Sequence, residues 1–168
     1  MILILHNIRS IHNTGSCFRT ADAAGVTRII LSGYTPTPLD RFNQPRKDFI
    51  KVSLGAEKSV PWEYVKTLGA TLAKLKKENF LIVALEQDTH STPLFDFDPP
   101  QLAHRQVPPI ALILGNEVRG ISKQLLQKCD VILEIPMHGK KESLNVSVTA
   151  GIALFVLSQQ ASRHIKYS

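Results

Sequence analysis

The chain has 168 residues, 43% of them apolar, which is enough for one domain around a real core. Its 20 Lys and Arg outnumber 14 Asp and Glu, so the net charge of +6 favours a polyanionic partner such as nucleic acid. No apolar run reaches the ~20 residues of a membrane span, and the distant Cys17 and Cys129 exclude a disulfide scaffold and point to a reduced, cytoplasmic protein.

The first predicted strand covers residues 1–5. Its apolar run has no basic segment before it and no cleavage site after it, so it is not a targeting signal. Residues 13–24 carry a helical pattern that opens at Asn13, a good N-cap, and stops at Gly25. A second strand is predicted over 27–31. Residues 33–47 hold Pro36, Pro38 and Pro45 beside Arg41, Arg46 and Lys47, which makes a basic surface loop. A helix is then predicted over 65–78, a third strand over 80–85, a Pro-rich connection over 96–109 and a fourth strand over 110–114. Ser122 opens a short helix, residues 131–135 form a fifth strand, and a last helix runs over 145–162.

Strands alternating with helices predict an α/β fold with a mostly parallel sheet flanked by helices, as one domain over 1–168 that begins directly with its first strand. The continuous Ile, Leu and Val runs suit strands buried on both faces. In such sheets ligands sit beyond the carboxyl ends of the strands. The last helix is apolar or small at nearly every position from Val146 to Leu157. A helix apolar all round must be covered all round. That predicts a homodimer with this helix in or near the interface; the alternative is a central helix in a monomer.

Several chemistries are excluded by single residues. In Gly115-Asn-Glu-Val-Arg-Gly-Ile-Ser122 the phosphate-binding lysine of a P-loop is replaced by Ile121. No G-x-G-x-x-G follows a strand, and no G-x-S-x-G nucleophile elbow is present. His6, His12, His90, His104, His138 and His164 lack metal-ligand spacing, so no metal is expected.

Three segments carry the functional signal. Residues 112–122, Leu-Ile-Leu-Gly-Asn-Glu-Val-Arg-Gly-Ile-Ser, read as a buried strand running into a glycine-bounded polar loop. Residues 135–150, Ile-Pro-Met-His-Gly-Lys-Lys-Glu-Ser-Leu-Asn-Val-Ser-Val-Thr-Ala, repeat the arrangement and lead into the last helix. Two such loops make a binding site from backbone groups. In the first helix Arg19 follows Asn13 by six residues, among Cys17, Phe18, Ala21, Ala23 and Ala24. An arginine in such a setting binds a phosphate or carboxylate, or snorkels from the helix surface.

Together these segments resemble the SpoU (TrmH-like) family of RNA ribose 2′-O-methyltransferases in the SPOUT superfamily. The first motif matches Asn13, Arg19-Thr20-Ala21 and Gly25, the second residues 112–120, and the third Ile135 to Met137 with Ser143-Leu-Asn-Val-Ser147. The resemblance spans almost the whole chain. It implies a C-terminal deep trefoil knot, an obligate homodimer and S-adenosylmethionine as cofactor, held by Leu85, Glu86, Leu114, Gly115, Asn116, Gly120, Ile135, Met137, Ser143 and Leu144. It implies catalytic roles for Arg19, Asn13, Glu117, Ser143 and Asn145. Asn145 can also cap the last helix, and Glu117 can also order its loop. Contacts to RNA phosphates are expected from Arg9, Arg41, Arg46, Lys47, Lys140 and Lys141, and from Arg163 and Lys166 in the tail.

The implied reaction is methyl transfer to a ribose 2′-hydroxyl of tRNA or ribosomal RNA. Alternatives are a non-catalytic RNA-binding dimer of the same fold and an RNA base methyltransferase. Family members often carry extra RNA-binding segments that help choose the substrate. Thr14 and Ile121 depart from the family's common Pro and Leu, both tolerably.

Overall fold

The computed structural model describes residues 1–101 and 107–163. Seven strands form one all-parallel sheet: β1 (Ile2–His6), β2 (Arg28–Ser32), β3 (Trp62–Val65), β4 (Leu81–Leu85), β5 (Thr92–Pro93), β6 (Ile110–Leu114) and β7 (Val131–Glu134). Their spatial order is β3-β2-β1-β6-β4-β7-β5. The helices are α1 (Ile11–Ala23), α2 (Lys47–Ser53), α3 (Ala56–Ser59), α4 (Gly69–Lys77), α5 (Lys123–Leu126) and α6 (Val146–Arg163). None of the described helices is long and apolar enough to cross a membrane.

The alternation of each strand divides the core in two. Leu3, Leu5, Ile29, Leu31, Val83, Leu112 and Leu114 face one way and pack with Phe18 of α1, Phe49 of α2 and Ala150, Ala153, Leu154 and Leu157 of α6. Ile2, Ile4, Ile30, Ile82, Ala84, Ala111 and Ile113 face the other way, onto Leu72 and Leu75 of α4 and Leu125 and Leu126 of α5. Both faces are therefore covered, as a parallel sheet requires. All strand carboxyl ends meet at one edge.

The sequence-based expectations hold for five strands, for the first and last helices to within two residues and for the short helix opened by Ser122; the departures lie elsewhere. The expected helix over 65–78 begins only at Gly69, because Trp62–Val65 pairs with β2 as an edge strand. The helices α2 and α3 and the two-residue β5 follow from no apolar periodicity long enough to read. The first helix is capped not by Asn13 but by Ser10, whose Oγ accepts from the Asn13 N–H. Asn13 thereby lies in the first turn with its carboxamide released for other partners. Asn145 caps α6 as expected, its Oδ1 accepting from the Ser147 N–H at 2.8 Å. Side-chain atoms of Arg163, and all of Lys166, His104 and His164, lie outside the described residues.

The loop after β1 is pinned to the loop after β2 by one buried hydroxyl. Thr35 Oγ1 accepts from the Ile8 N–H at 3.0 Å and lies within bonding distance of Leu5 O and Ser32 O. Thr35→Val keeps the shape but leaves the buried Ile8 N–H without a partner, a cost of about 1–3 kcal/mol. Denaturant titration should show a loss of that size, and a loss below about 0.5 kcal/mol would contradict the role given to this hydroxyl.

Candidate active site

The segment after β6 leaves the sheet and turns back on itself within five residues. The Gly120 N–H donates to Asn116 O at 2.9 Å, and the two residues form an isolated antiparallel bridge. The turn is so tight that a Cβ on Gly115 would lie 2.5 Å from Ile121 Cγ1 and 2.8 Å from the Gly120 carbonyl carbon. Only glycine fits there. Gly120 has φ +62°, and a Cβ on it would overlap the Glu86 carboxylate. Glu86, just past β4, accepts from the Ile121 N–H at 2.8 Å and so ties the β4 loop to the β6 loop.

Asn116 is the buried centre of this arrangement. Its Oδ1 accepts from the Val118 N–H (3.0 Å) and the Arg119 N–H (2.7 Å). Its Nδ2 donates to Asn7 O and to Tyr34 Oη, both at 2.9 Å. One carboxamide thus joins the loops after β1, β2 and β6. Asn7 itself has φ +58° and accepts from the Tyr34 N–H. An Asn, a residue type that tolerates the left-handed region, placed just after an apolar strand run is the signal that marks Asn7 in the sequence; Tyr34 carries no such signal.

Glu117 links the second motif to the first. It accepts from the Arg9 N–H (2.9 Å), the Ser10 N–H (3.3 Å) and Asn13 Nδ2 (3.0 Å). Asn145 Nδ2 donates in turn to Asn13 Oδ1 at 3.1 Å. The chain Glu117–Asn13–Asn145 therefore crosses all three motifs. Partial burial pushes the Glu117 carboxyl up, but the bonds from Arg9, its own N–H, Asn13 and Ser10 outweigh it and hold the group below the usual carboxylate range. Cys17, by contrast, is pushed up to about 12 by burial and by the Glu117 charge, which makes it an inert core thiol.

A cavity of about 310 Å3 opens between the loops after β4, β6 and β7. Leu85, Glu86, Leu114, Gly115, Asn116 and Gly120 form one side of it. Ile135, Met137, Ser143 and Leu144 form the other. The two sides are held together by Gln87 Nε2, which donates to Glu142 O at 2.7 Å. A volume at the lower end of small-molecule sites and a lining that mixes apolar side chains with polar groups fit a flat heteroaromatic ligand with a polar tail.

Glu117 also lines this cavity, whereas Arg19 and the basic residues singled out in the sequence fall outside it. Arg41 and Arg46 line a separate open cavity after β2, with Lys47 exposed beside them at the start of α2. Arg46 also pairs with Asp48 at 3.6 Å. Arg9 is exposed next to Glu117, and Lys140 and Lys141 are exposed on the loop between β7 and α6. Arg19 is not joined to the Glu117–Asn13–Asn145 chain. It lies about 9 Å further along α1 and about 120° around it from Asn13, exposed, and makes no hydrogen bond or ion pair among the described residues.

The profile of the SpoU rRNA Methylase family matches residues 1–155. The chain belongs to that family. It is 37% identical over 161 residues to the 23S rRNA (guanosine-2′-O-)-methyltransferase RlmB of Escherichia coli K12, covering 96% of this chain and 60% of that protein. To the RlmB of Nitrosomonas europaea it is 36% identical, over 97% of this chain and 57% of the relative. The chain thus spans about 60% of the length of such curated relatives. Among solved structures, an AdoMet-bound rRNA methyltransferase from Sinorhizobium meliloti superposes with TM-score 0.80 at 27% identity, covering 98% of this chain and 56% of that one. The A. aeolicus TrmH/SpoU tRNA modifying enzyme gives 0.80 at 28% identity, covering 99% and 77%. The SpoU methyltransferase AviRb from Streptomyces viridochromogenes, in complex with the cofactor AdoMet, gives 0.80 at 25%, covering 97% and 61%.

In this SpoU chain the lowered Glu117 value has a consequence for acid stability. A carboxyl held below its ordinary value of 4.5 stabilises the fold fully above that pH and loses the contribution as pH falls through its folded-state value. The stability gap between the protein and Glu117→Gln should stay constant from neutral pH to about pH 5 and close at lower pH. Denaturant titrations at each pH would reveal it; a gap still open well into the acid range would contradict the assignment.

Proposed function

We propose that the protein is an S-adenosylmethionine-dependent RNA 2′-O-methyltransferase acting on a ribose of ribosomal RNA. The observation that carries this reading is the convergence of all three family motifs on one edge of the sheet. Two of them wall the 310 Å3 cavity, and the first is wired to them through Asn13. The net charge of +6 and the RlmB relatives support ribosomal RNA as the substrate class. The tRNA-modifying neighbour keeps tRNA as the substrate to compare with it.

S-Adenosylmethionine supplies an electrophilic methyl group when bound. Gly115 lets the loop after β6 close against Gly120 and Ile121 and so shapes the cavity wall, and Ile135, Met137 and Leu144 offer apolar surface for the adenine. Glu86 and Asn116 hold the loops in shape; their polar atoms are already engaged with protein groups, so they act on the cofactor through the backbone they fix. Ser143 lies on the same wall.

The acceptor would be a 2′-hydroxyl: its oxygen would take the methyl group as the donor's sulfur–methyl bond breaks to leave a neutral thioether, and its proton would pass to a phosphate oxygen of the RNA or to solvent. A guanidinium group stays protonated in proteins and makes a poor base, so Arg19 does not take that proton. Its part is to fix the RNA phosphate beside the target ribose and to stabilise the charge that develops on the oxygen. Asn13, Glu117 and Asn145 set the position of α1, and hence of Arg19, relative to the cavity. Arg9, Lys47, Lys140 and Lys141 add phosphate contacts.

The functional unit is a homodimer. Phe155 is 53% exposed and Val148 50% exposed on α6, beside an α1 surface that presents His12, Arg19 and Ala23. Such a face calls for cover by a second copy. The C-terminal part forms a trefoil knot; the reading rests on β6 and β7, each of which enters the sheet between strands that precede it in sequence. Residues 1–168 act as one methyltransferase domain working in the cytoplasm without a metal.

Arg19→Ala should lower methyl transfer from labelled S-adenosylmethionine to undermodified ribosomal RNA by about 100-fold or more while leaving cofactor affinity unchanged by calorimetry. Near-normal turnover would remove Arg19 from the reaction. Gly115→Val should abolish cofactor binding, since the new side chain must displace the Gly120 backbone. Unchanged affinity would move the cofactor out of this cavity.

A further inference from the structure

Between β2 and α2 the chain builds a second cavity whose aromatic lining the methyl-transfer reading leaves without a task. Leu39 bridges Pro45 in antiparallel fashion, and Asp40 Oδ1 accepts from the Phe42 N–H (2.8 Å) and the Gln44 N–H (2.9 Å). This turn carries Phe42 into solvent, 66% exposed, with the Arg41 guanidinium 4.7 Å from its ring centroid. An open cavity of about 600 Å3 lies against the turn, lined by Tyr34, Phe42, Tyr64, Arg41, Arg46 and Asp40 among others. Tyr34 and Tyr64 are 57% and 48% exposed.

Three exposed rings on one small surface are costly to leave in water and invite a flat partner. Both phenol groups are already engaged. Tyr64 Oη donates to Gly33 O at 2.7 Å, and Tyr34 Oη accepts from Asn116 Nδ2 at 2.9 Å. The rings, not the hydroxyls, are what the cavity offers. Two arginines stand among them, and the Arg46–Asp48 pair is a half-exposed surface contact that a phosphate can replace. Aromatic rings interleaved with arginines match an unstacked nucleotide, whose base stacks while its phosphates meet guanidinium groups.

The position of the cavity is as telling as its lining. Asn116 borders the first cavity, and Tyr34 borders the second. One hydrogen bond therefore spans the wall between them. We propose that the second cavity holds one splayed-out base of the RNA, adjacent to the ribose presented at the first, stacked among Tyr34, Phe42 and Tyr64 with Arg41 and Arg46 on its phosphates. The pocket then selects an unpaired, accessible segment and sets which ribose reaches the methyl donor. The inference rests on the proposed activity for the identity of the neighbouring site, but stacking can be observed without turnover.

The test uses Phe42, which is exposed and can be changed without disturbing the core. In F42W the new indole reports stacking above the background of Trp62, which the unaltered protein supplies as control. Titration with a single-stranded RNA oligonucleotide should quench the indole emission, while a ribose-phosphate oligomer of equal length lacking bases should not. In parallel, Phe42→Ala should raise KM for undermodified ribosomal RNA about tenfold with little change in kcat and none in S-adenosylmethionine affinity. Phe42→Tyr should restore it. Absence of base-dependent quenching overturns the proposal, as does quenching with an unchanged KM. If base-dependent quenching occurs but the unaltered protein methylates no RNA, the pocket stands and the proposed activity falls.

Discussion

The structure depends on the buried carboxamide of Asn116 and the glycine turn around it. A parallel sheet ends with several carboxyl-end loops side by side, and nothing in the sheet fixes those loops relative to one another. Here four hydrogen bonds to one side chain join the loops after β1, β2 and β6. Glu86 adds the loop after β4 through the Ile121 N–H. Both polar atoms of the Asn116 side chain have partners, so the network sets one geometry rather than several. The cavity walls, the Glu117–Asn13–Asn145 chain and the partition between the two cavities all follow from that geometry.

Carboxylates in this site work by holding backbone. Glu86 and Glu117 together engage the N–H groups of Ile121, Gln87, Arg9 and Ser10. Glu117 sits where α1 begins and the helix presents its unsatisfied N–H groups, which is also why its charge is favoured there. The motif carboxylate Glu117, like Glu86 outside the motifs, thus holds backbone in place. That role suits a reaction whose reactive carbon arrives already activated on a cofactor. On the proposed reading the protein supplies alignment of the hydroxyl, exclusion of water and a fixed positive charge, and Arg19, exposed on α1, is the motif residue proposed for the last of these.

Much of the core was legible in the sequence because parallel strands leave a plain trace. Ile2 to Leu5 and Ile110 to Leu114 are continuous apolar runs, and each is buried on both faces as such a run must be. The glycine loop after β6 was legible too, since Gly115 and Gly120 bracket a polar stretch. The short elements were not. Trp62–Val65 and Thr92–Pro93 are edge strands held by pairing, with little apolar pattern of their own. Asn13 looked like a helix cap because Asn favours that role, yet Ser10, three residues earlier, has the same chemistry and takes it. Links such as Asn116 to Tyr34 join residues 82 apart and have no sequence signature. The aromatic surface after β2 is not legible for a related reason: Tyr34 and Phe42 lie in the loop after β2 and Tyr64 in β3, and they meet only once the chain folds.

The most direct test of the account is the chemical position of the transferred methyl. Undermodified ribosomal RNA would be incubated with the protein and methyl-labelled S-adenosylmethionine, then hydrolysed in alkali, which cleaves only where a 2′-hydroxyl is free. Label recovered in alkali-resistant dinucleotides is the expected result, because a 2′-O-methyl group blocks cleavage at its own linkage. Label in mononucleotides would place the methyl on a base and contradict the account.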